Sequence, residues 1–251
     1  MKISLITITK DNPKGLRRTL ESVQSQLQEL PEGVSLEHII IDGSKNVCSE
    51  KNSHLTPVTT VYARSPKGVY NAINEGLALA TGDVVGLLHS GDVFPKHDSL
   101  TNIIKQFVRN KDIDYVYGDV RIGKRLYKGS GFSEKHLLQG YAPPHPSLFI
   151  TKKVLNTIGN YDESFVVAAD FDYFIRLYSE PALKGLYLDI TVVEMEPGGL
   201  SGKIHNVLFV NNSEKLRALR KNGLKASYFN ILKHYQSVIK SFLCSSKSQN
   251  R

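Results

Sequence analysis

The chain reads as an α/β protein whose mostly parallel central sheet carries helices on both faces. Short runs rich in branched apolar residues, "ISLITIT", "LEHIIID" and "DVVGLLH", alternate with amphipathic stretches at helical spacing. Alternation at that pace is what parallel strands joined by crossover helices require. With 251 residues, 41% hydrophobic and 22% charged, the chain can bury one substantial core.

The elements follow in order. "ISLITIT" is a strand by its branched, alternating character. Asn12-Pro13 then starts a helix, with Asn12 as N-cap and Pro13 in the first helical position, and Leu16, Leu20, Val23 and Leu27 share one face. "LEHIIID" is a continuous apolar strand ending in Asp42-Gly43-Ser44, and "TPVTTVYA" is a third apolar piece. "GVYNAINEGLALATG" is helical, with Val69, Ile73, Leu77 and Ala80 on one side and Gly82 as its stop. "DVVGLLH" is a buried strand. Asp98 N-caps a helix carrying Leu100, Ile103, Ile104 and Phe107, and "DYVYGDVRIGKRLYKG" is a strand and hairpin turning at Gly123. A loop, "GYAPPHPSLFI", precedes a helix from about Thr151 to Ile158. A second helix in "YDESFVVAADFDYFIRLYSE" turns Phe174, Leu177 and Tyr178 inward, and "GLYLDITVVEME" is a late strand ending at Pro197-Gly198-Gly199.

Charge and cysteine usage exclude several classes. The net charge of +8 belongs to the tail: residues 203–251 hold ten Lys/Arg against the single Glu214, which leaves 22 basic and 23 acidic residues in 1–202. A nucleic-acid enzyme spreads basic residues around its cleft, so no nucleic acid is expected as partner. From Tyr228, Phe229, Leu232, Tyr235, Val238, Ile239 and Phe242 form one stripe with Lys233 and Lys240 off it. That pattern suits a helix lying on an anionic membrane, or one closing over the core. Cys48 and Cys244 lack the paired spacing of a disulfide framework or zinc site. The N-terminus reads as a first strand and not a signal peptide, and no window reaches the roughly 18 apolar residues of a membrane span. The expected location is cytoplasmic, at the inner face of the membrane.

In open α/β sheets ligands bind beyond the carboxyl ends of the strands. That rule selects Thr7 to Asn12, Asp42 to Ser44 and His89 to Asp92, the last lying in "GLLHSGDVFP". Together with "LITITKDN", "IIIDGSKN", "SPKGVYNAINEGLALATGDVVGLLHSGD" and "HPSLFITKKVLNTIGNYDESFVVAADFDYFIRL", these stretches resemble the family 2 glycosyltransferases that build bacterial surface polysaccharides such as colanic acid, capsule and O-antigen. The resemblance covers about residues 2–202 and implies a GT-A fold, with 203–251 as a basic helical extension.

It also implies roles. Transfer from a nucleotide-diphosphate sugar needs a cation to neutralise the leaving diphosphate and a base for the attacking hydroxyl. A hard ion such as Mg²⁺ or Mn²⁺ uses one or two carboxylates plus substrate phosphates and waters. Asp92 is the expected metal ligand, assisted by His89. Relatives place a second acid just upstream, where this chain has Ser90 or His89. Thr7, Thr9, Asp42, Lys67, Asn71, Ser90 and Gly91 are expected to line the donor site. Asp42 faces base or ribose or else forms an Asx-turn with Ser44; Lys67 meets the diphosphate at a helix start or else is an exposed surface lysine. Asn71 and Asn74 share a helix face and could both line the cleft, or Asn74 caps or packs locally. Asp170 takes the position of the catalytic base, though Ala169 stands where many relatives have an acid; its alternative role is a helix N-cap. His145 and "GGLSGK" match stretches on the acceptor side, or equally are loop architecture.

A single base acting directly implies inversion, with a glycan or lipid-linked acceptor. Three rivals have discriminating features. A nucleotidyltransferase would want a glycine- and arginine-rich loop in place of "TKDNPKG", and a nicotinamide enzyme would want Gly-x-Gly-x-x-Gly after the first strand. A catalytically silent nucleotide-sugar-binding or scaffold subunit is consistent with the missing second acid and with Ala169.

Overall fold

The structure is a computed structural model describing residues 1–45, 59–63, 67–196, 204–227 and 231, with side chains described except in 59–63 and 204–209. Strand β1 (Lys2–Thr9) lies between β2 (Ser35–Asp42) and β4 (Val84–Leu87), parallel to both, and β3 (Thr59–Ala63) adds parallel to β2. The register sets Thr9 opposite Asp42, so β1 and β2 finish at one level. The other half of the eight-stranded sheet is mixed. β7 (Phe149–Thr151) runs antiparallel between β4 and β5 (Tyr115–Ile122), β6 (Arg125–Tyr127) forms a hairpin with β5 at Gly123, and β8 (Gly185–Met195) pairs parallel to β5.

Both faces of β1 and β2 are covered, which is why their sequences are continuously apolar. Successive side chains point to opposite faces. Ile6, Ile39 and Ile41 pack with Ile73 and Leu77 of α2 (Val69–Leu79) and with Phe174 of α6 (Ala169–Ser179). Ile3, Leu5 and Leu36 pack with Leu100, Ile104 and Phe107 of α3 (Ser99–Arg109). Leu16 and Leu20 of α1 (Pro13–Gln26) meet Ile40. Asn12 caps α1 as expected, its side-chain oxygen accepting the Gly15 N–H at 2.9 Å. Short helices α4 (Glu134–Leu138) and α5 (Lys152–Ile158) follow in the second half.

Several local expectations are corrected. α2 ends at Leu79, before Gly82. Gly82 serves a different need: a Cβ there would sit 2.6 Å from the Ser4 backbone nitrogen, so the turn after α2 could not close on β1. Asp98 precedes α3 without a side-chain capping bond; Ser99 Oγ instead accepts the Lys96 N–H at 3.2 Å. Tyr178 is 39% exposed, its ring meeting Phe132 edge-on, while Phe174 and Leu177 are buried. Strand β7 occupies part of what reads as loop in sequence, because three residues are too few to show a period.

A carboxylate clasp holds the centre of the sheet. Glu37, 3% exposed on β2, receives the Thr81 N–H at 2.6 Å, the Thr81 hydroxyl at 2.7 Å, the Gly82 N–H at 3.2 Å, the Ser4 hydroxyl and the Lys2 ammonium. Burial alone raises its carboxyl, but these donors outweigh burial and bring it from 4.5 to about 2. The folded value lies below the ordinary one, so the stabilisation is complete above pH 4.5 and is lost as pH falls toward 2. Glu37→Ala is expected to cost about 3 kcal/mol at pH 7, with the gap to the parent protein closing below pH 4 in urea titrations.

The extension opens with α7 (Ile204–Lys221), whose Leu216, Ala218 and Leu219 join the same core cluster as Phe171 and Phe174. Ile231, inside the amphipathic stretch, is buried against that cluster. The rest of that stretch, the "GGLSGK" turn, Cys48 and Cys244 lie outside the described residues. Among the described residues no helix is long and apolar enough to cross a membrane.

Candidate functional site

The ends of β1, β2 and β4 meet as the strand-end rule requires. The link between β1 and α1 turns at Asp11, a non-glycine residue in the left-handed region (φ 51°), whose N–H donates to Ser44 Oγ at 2.7 Å. Such backbone costs about 1–2 kcal/mol and concentrates at ligand sites. Asp42 is buried and accepts the Ser44 N–H at 2.9 Å, so it makes the Asx-turn; the Gly43 N–H bonds the Thr9 carbonyl at 2.9 Å. Thr7 is fully buried, its hydroxyl shared between His38 Nε2 at 2.8 Å and the Leu88 carbonyl at 2.6 Å. Its side chain thus ties β1 to β2 and to the residue that follows β4.

After β4 the chain turns sharply. Ser90 Oγ donates to the Asn12 carbonyl at 3.2 Å, and the Gly91 N–H reaches Thr19 Oγ1 at 3.0 Å. Gly91 has φ 103°, a conformation that favours glycine. Thr19 Oγ1 also donates to the carbonyls of His89 and Asp92, at 3.2 and 2.8 Å. The turn thereby presents Asp92 at 4% exposure with Oδ2 buried and without a hydrogen-bond partner among the described residues. Burial raises the Asp92 carboxyl from 3.8 to about 7, against the opposing pull of His145 and of backbone bonds from Glu196 and His89. Glu196, which follows β8 and pairs with Arg18 at 3.0 Å, adds a second negative charge nearby.

A chain of three side chains crosses the crevice. His89 Nε2 lies 3.1 Å from His145 Nε2, and His145 Nδ1 lies 3.3 Å from Asp170 Oδ2. His145 rides on the 3₁₀ turn His145–Ser147 just before β7, and Asp170 opens α6. Burial raises the Asp170 carboxyl, but the His145 contact and the Phe171 N–H, 2.8 Å from Oδ1, more than offset it and hold it below the ordinary carboxylate value. The Asp170 side chain remains 33% exposed and so accessible to a ligand. His89 is driven the other way, to about 3, first by burial and then by His145. His89 Nδ1 is buried and without a hydrogen-bond partner among the described residues.

The remaining expected donor-site residues are dispersed. Lys67 is exposed just ahead of α2. Tyr70, in the first turn of α2, sets its hydroxyl by the backbone N–H groups of Ala169 and Asp170. Asn71 and Asn74 both donate to Glu163, at 3.1 and 2.8 Å, and Asn74 also exchanges bonds with the Tyr161 backbone, so Asn74 packs locally. The two acids of "ADFD" have opposite fates. Asp170 meets His145 and stays partly exposed, whereas Asp172 is fully buried with Arg176 Nε at 2.9 Å, Lys221 Nζ at 3.1 Å and Asn222 Nδ2 at 2.9 Å. Sequence reasoning did not single out Tyr70, Glu196 or Glu214, and nothing in their local sequence marks them.

The donor set suits a hard divalent cation of the kind that takes most of its ligands from phosphates and water. Two buried polar atoms, Asp92 Oδ2 and His89 Nδ1, lack protein partners, yet among the described residues no group of three or more His, Cys, Asp or Glu converges into a closed protein cage.

Comparison with known proteins agrees with this geometry. The chain is 33% identical over 146 residues to a PGL/p-HBAD biosynthesis glycosyltransferase of Mycobacterium bovis, spanning 57% of each chain, so it matches little more than half of that relative's length. The fold is similar to that of residues 1–349 of Staphylococcus aureus TarS bound to UDP (TM-score 0.67, 16% identity, 94% of this chain and 71% of that one). It is similar also to the Pyrobaculum calidifontis mannosyltransferase PcManGT bound to GDP-Man and Mn²⁺ (TM-score 0.63, 18% identity, 93% and 68%). Both are GT-A glycosyltransferases. The family described as Glycosyl transferase family 2 matches residues 4–177, more than two thirds of the chain and all of the crevice built by β1, β4, His145 and Asp170, and the chain belongs to that family.

Proposed function

We propose that this glycosyltransferase moves a sugar from a nucleotide-diphosphate sugar to a glycan or lipid-linked acceptor in surface polysaccharide biosynthesis, with inversion and with help from Mg²⁺ or Mn²⁺. One observation carries the reading. An ionised, ligand-accessible carboxylate, Asp170, is held by His145 in the same crevice as a buried, unpartnered carboxylate oxygen of Asp92. The two acids sit in environments that push their protonation in opposite directions, as separate base and ligand roles require.

Asp92 Oδ2 and His89 Nδ1 would hold the cation. When bound, it would neutralise charge on the leaving nucleoside diphosphate. Asp170 accepts the proton of the acceptor hydroxyl as that oxygen attacks the anomeric carbon opposite the diphosphate, so one displacement inverts the centre. His145 keeps Asp170 ionised and aimed into the crevice. The turn Asp42 to Ser44, the backbone of Thr7 and Thr9, and Ser90 and Gly91 frame the nucleotide. Lys67 and Asn71 stand at the α2 end, towards the diphosphate. Mn²⁺ and a nucleotide sugar in the similarly folded mannosyltransferase support this reading.

Thermal-shift measurements with UDP-glucose, UDP-N-acetylglucosamine, UDP-galactose and GDP-mannose, each with and without Mn²⁺, test it. At least one should stabilise the protein only when Mn²⁺ is present; no shift with any of them would sink the proposal.

We assign the basic tail to the cytoplasmic face of an anionic membrane, where a lipid-linked acceptor would be met. Arg220 and Lys225 are exposed and available, whereas Lys215, Arg217 and Lys221 are engaged within the protein. Lys233→Glu with Lys240→Glu should reduce sedimentation with phosphatidylserine vesicles at least several-fold; equal sedimentation would contradict the assignment.

A further inference from the structure

The segment leading into α6 owes its placement to α7. Its own side chains bury little at the critical point, since Val166 is 73% exposed. Its backbone is instead gathered onto one carboxylate. Glu214, 9% exposed on α7, accepts the Val166 N–H at 2.8 and 3.1 Å on its two oxygens, the Val167 N–H at 2.9 Å and the Ala168 N–H at 3.1 Å. Three consecutive amides aimed at one point form an anion-binding concavity at a helix N-terminus. Here a side chain more than forty residues away fills it. Arg217 continues the contact, donating to the Ser164 carbonyl at 2.9 Å and lying 3.9 Å above the Phe165 ring, and Lys221 closes it on Asp162 at 2.8 Å. The next residue of α7, Lys215, reaches the Gly140 carbonyl at 2.7 Å, at the head of the loop that carries His145. Two adjacent residues of α7 therefore tether the two segments that bring Asp170 and His145 together.

We propose that Glu214 is a positioning residue for glycosyl transfer: by fixing the amides of Val166, Val167 and Ala168 it holds Asp170 at the distance from His145 and the crevice that proton abstraction needs. The residue lies beyond the stretch matched to the family, which ends at residue 177. The inference rests on the reading of Asp170 as the base. A loop held only by its chain ends would let the carboxylate drift, and misplacement by about 1 Å costs on the order of a hundredfold in rate.

Four variants of the full chain separate positioning from mere stability: Glu214→Ala, Glu214→Gln, Leu216→Ala, which opens the α7 core without removing a hydrogen bond to the loop, and Asp170→Asn. Amide hydrogen exchange should show residues 164–170 at least tenfold less protected in Glu214→Ala, and nearly unchanged in Glu214→Gln, whose side-chain oxygen still accepts N–H bonds. Leu216→Ala should leave that segment no more exchangeable than the rest of the protein. With whichever of UDP-glucose, UDP-N-acetylglucosamine or GDP-mannose releases nucleotide fastest with Mn²⁺, Glu214→Ala should lower kcat more than tenfold with donor KM within twofold, and Glu214→Gln should stay within about threefold of the parent. If Glu214→Ala fails to fold, Glu214→Leu, which keeps the bulk but accepts no hydrogen bond, takes its place: protection of residues 164–170 and kcat equal to the parent in that variant would overturn the role. If Asp170→Asn is inactive while Glu214→Ala matches Leu216→Ala in both readouts, the positioning role alone falls. If Asp170→Asn turns over normally, the base assignment falls and the positioning role with it.

Discussion

Asp170→Asn should lower sugar transfer by about 10²–10⁴-fold while leaving donor affinity within a factor of two. The substitution is nearly isosteric. Asn can still accept the Phe171 N–H through its oxygen, so the start of α6 should keep its geometry. What disappears is the charge that takes the acceptor's proton and the charge that orients His145. Steady-state kinetics and isothermal titration with the same donor check the two halves separately. Turnover within a few-fold of the parent would remove Asp170 from the mechanism.

Asp92→Asn is expected to lose Mn²⁺-dependent donor binding and to slow transfer roughly a hundredfold or more, because the stabilisation of leaving-group charge by a bound cation amounts to several kcal/mol. The same substitution should make the protein more stable. Burial holds the Asp92 carboxyl at about 7, above its ordinary 3.8, so keeping it ionised opposes folding increasingly above pH 4 and fully above pH 7. Asn removes that opposition and keeps the shape. A higher Tm at pH 8 combined with lost activity is the signature of a residue retained for chemistry at the expense of stability; a lower Tm would mark Asp92 as a structural turn residue.

The first half of the fold was readable because its signals are local. Asn12-Pro13, the branched runs of β1 and β2 and the faces of α1, α2 and α3 each announce themselves within a dozen residues. The second half depends on pairings that no short window contains: β7 inserts antiparallel between β4 and β5, and β8 returns parallel to β5 from some seventy residues away. The site divides along the same line. Asp92, His89 and Asp170 could be named from strand ends and from the resemblance. That His145 joins His89 to Asp170 is a consequence of where β7 places the preceding turn. Thr7 and Asp42 stand at the strand ends the sequence selects, and the fold adds contacts that no short window shows: the Thr7 hydroxyl meets His38 and Leu88, and an Asp42 oxygen accepts the Ser44 N–H. Glu214 was hidden for a third reason: in sequence it is one acid in a basic helix, and only the folded chain brings it to three amides.

The central claim, that Asp92 and its turn hold a cation beside a nucleotide diphosphate, is tested most directly by the electron paramagnetic resonance signal of free Mn²⁺ titrated with protein in the presence of UDP. The parent protein should deplete that signal when UDP is present, and Asp92→Asn should leave it at the level of a protein-free control. Equal depletion by the two proteins would contradict the assignment.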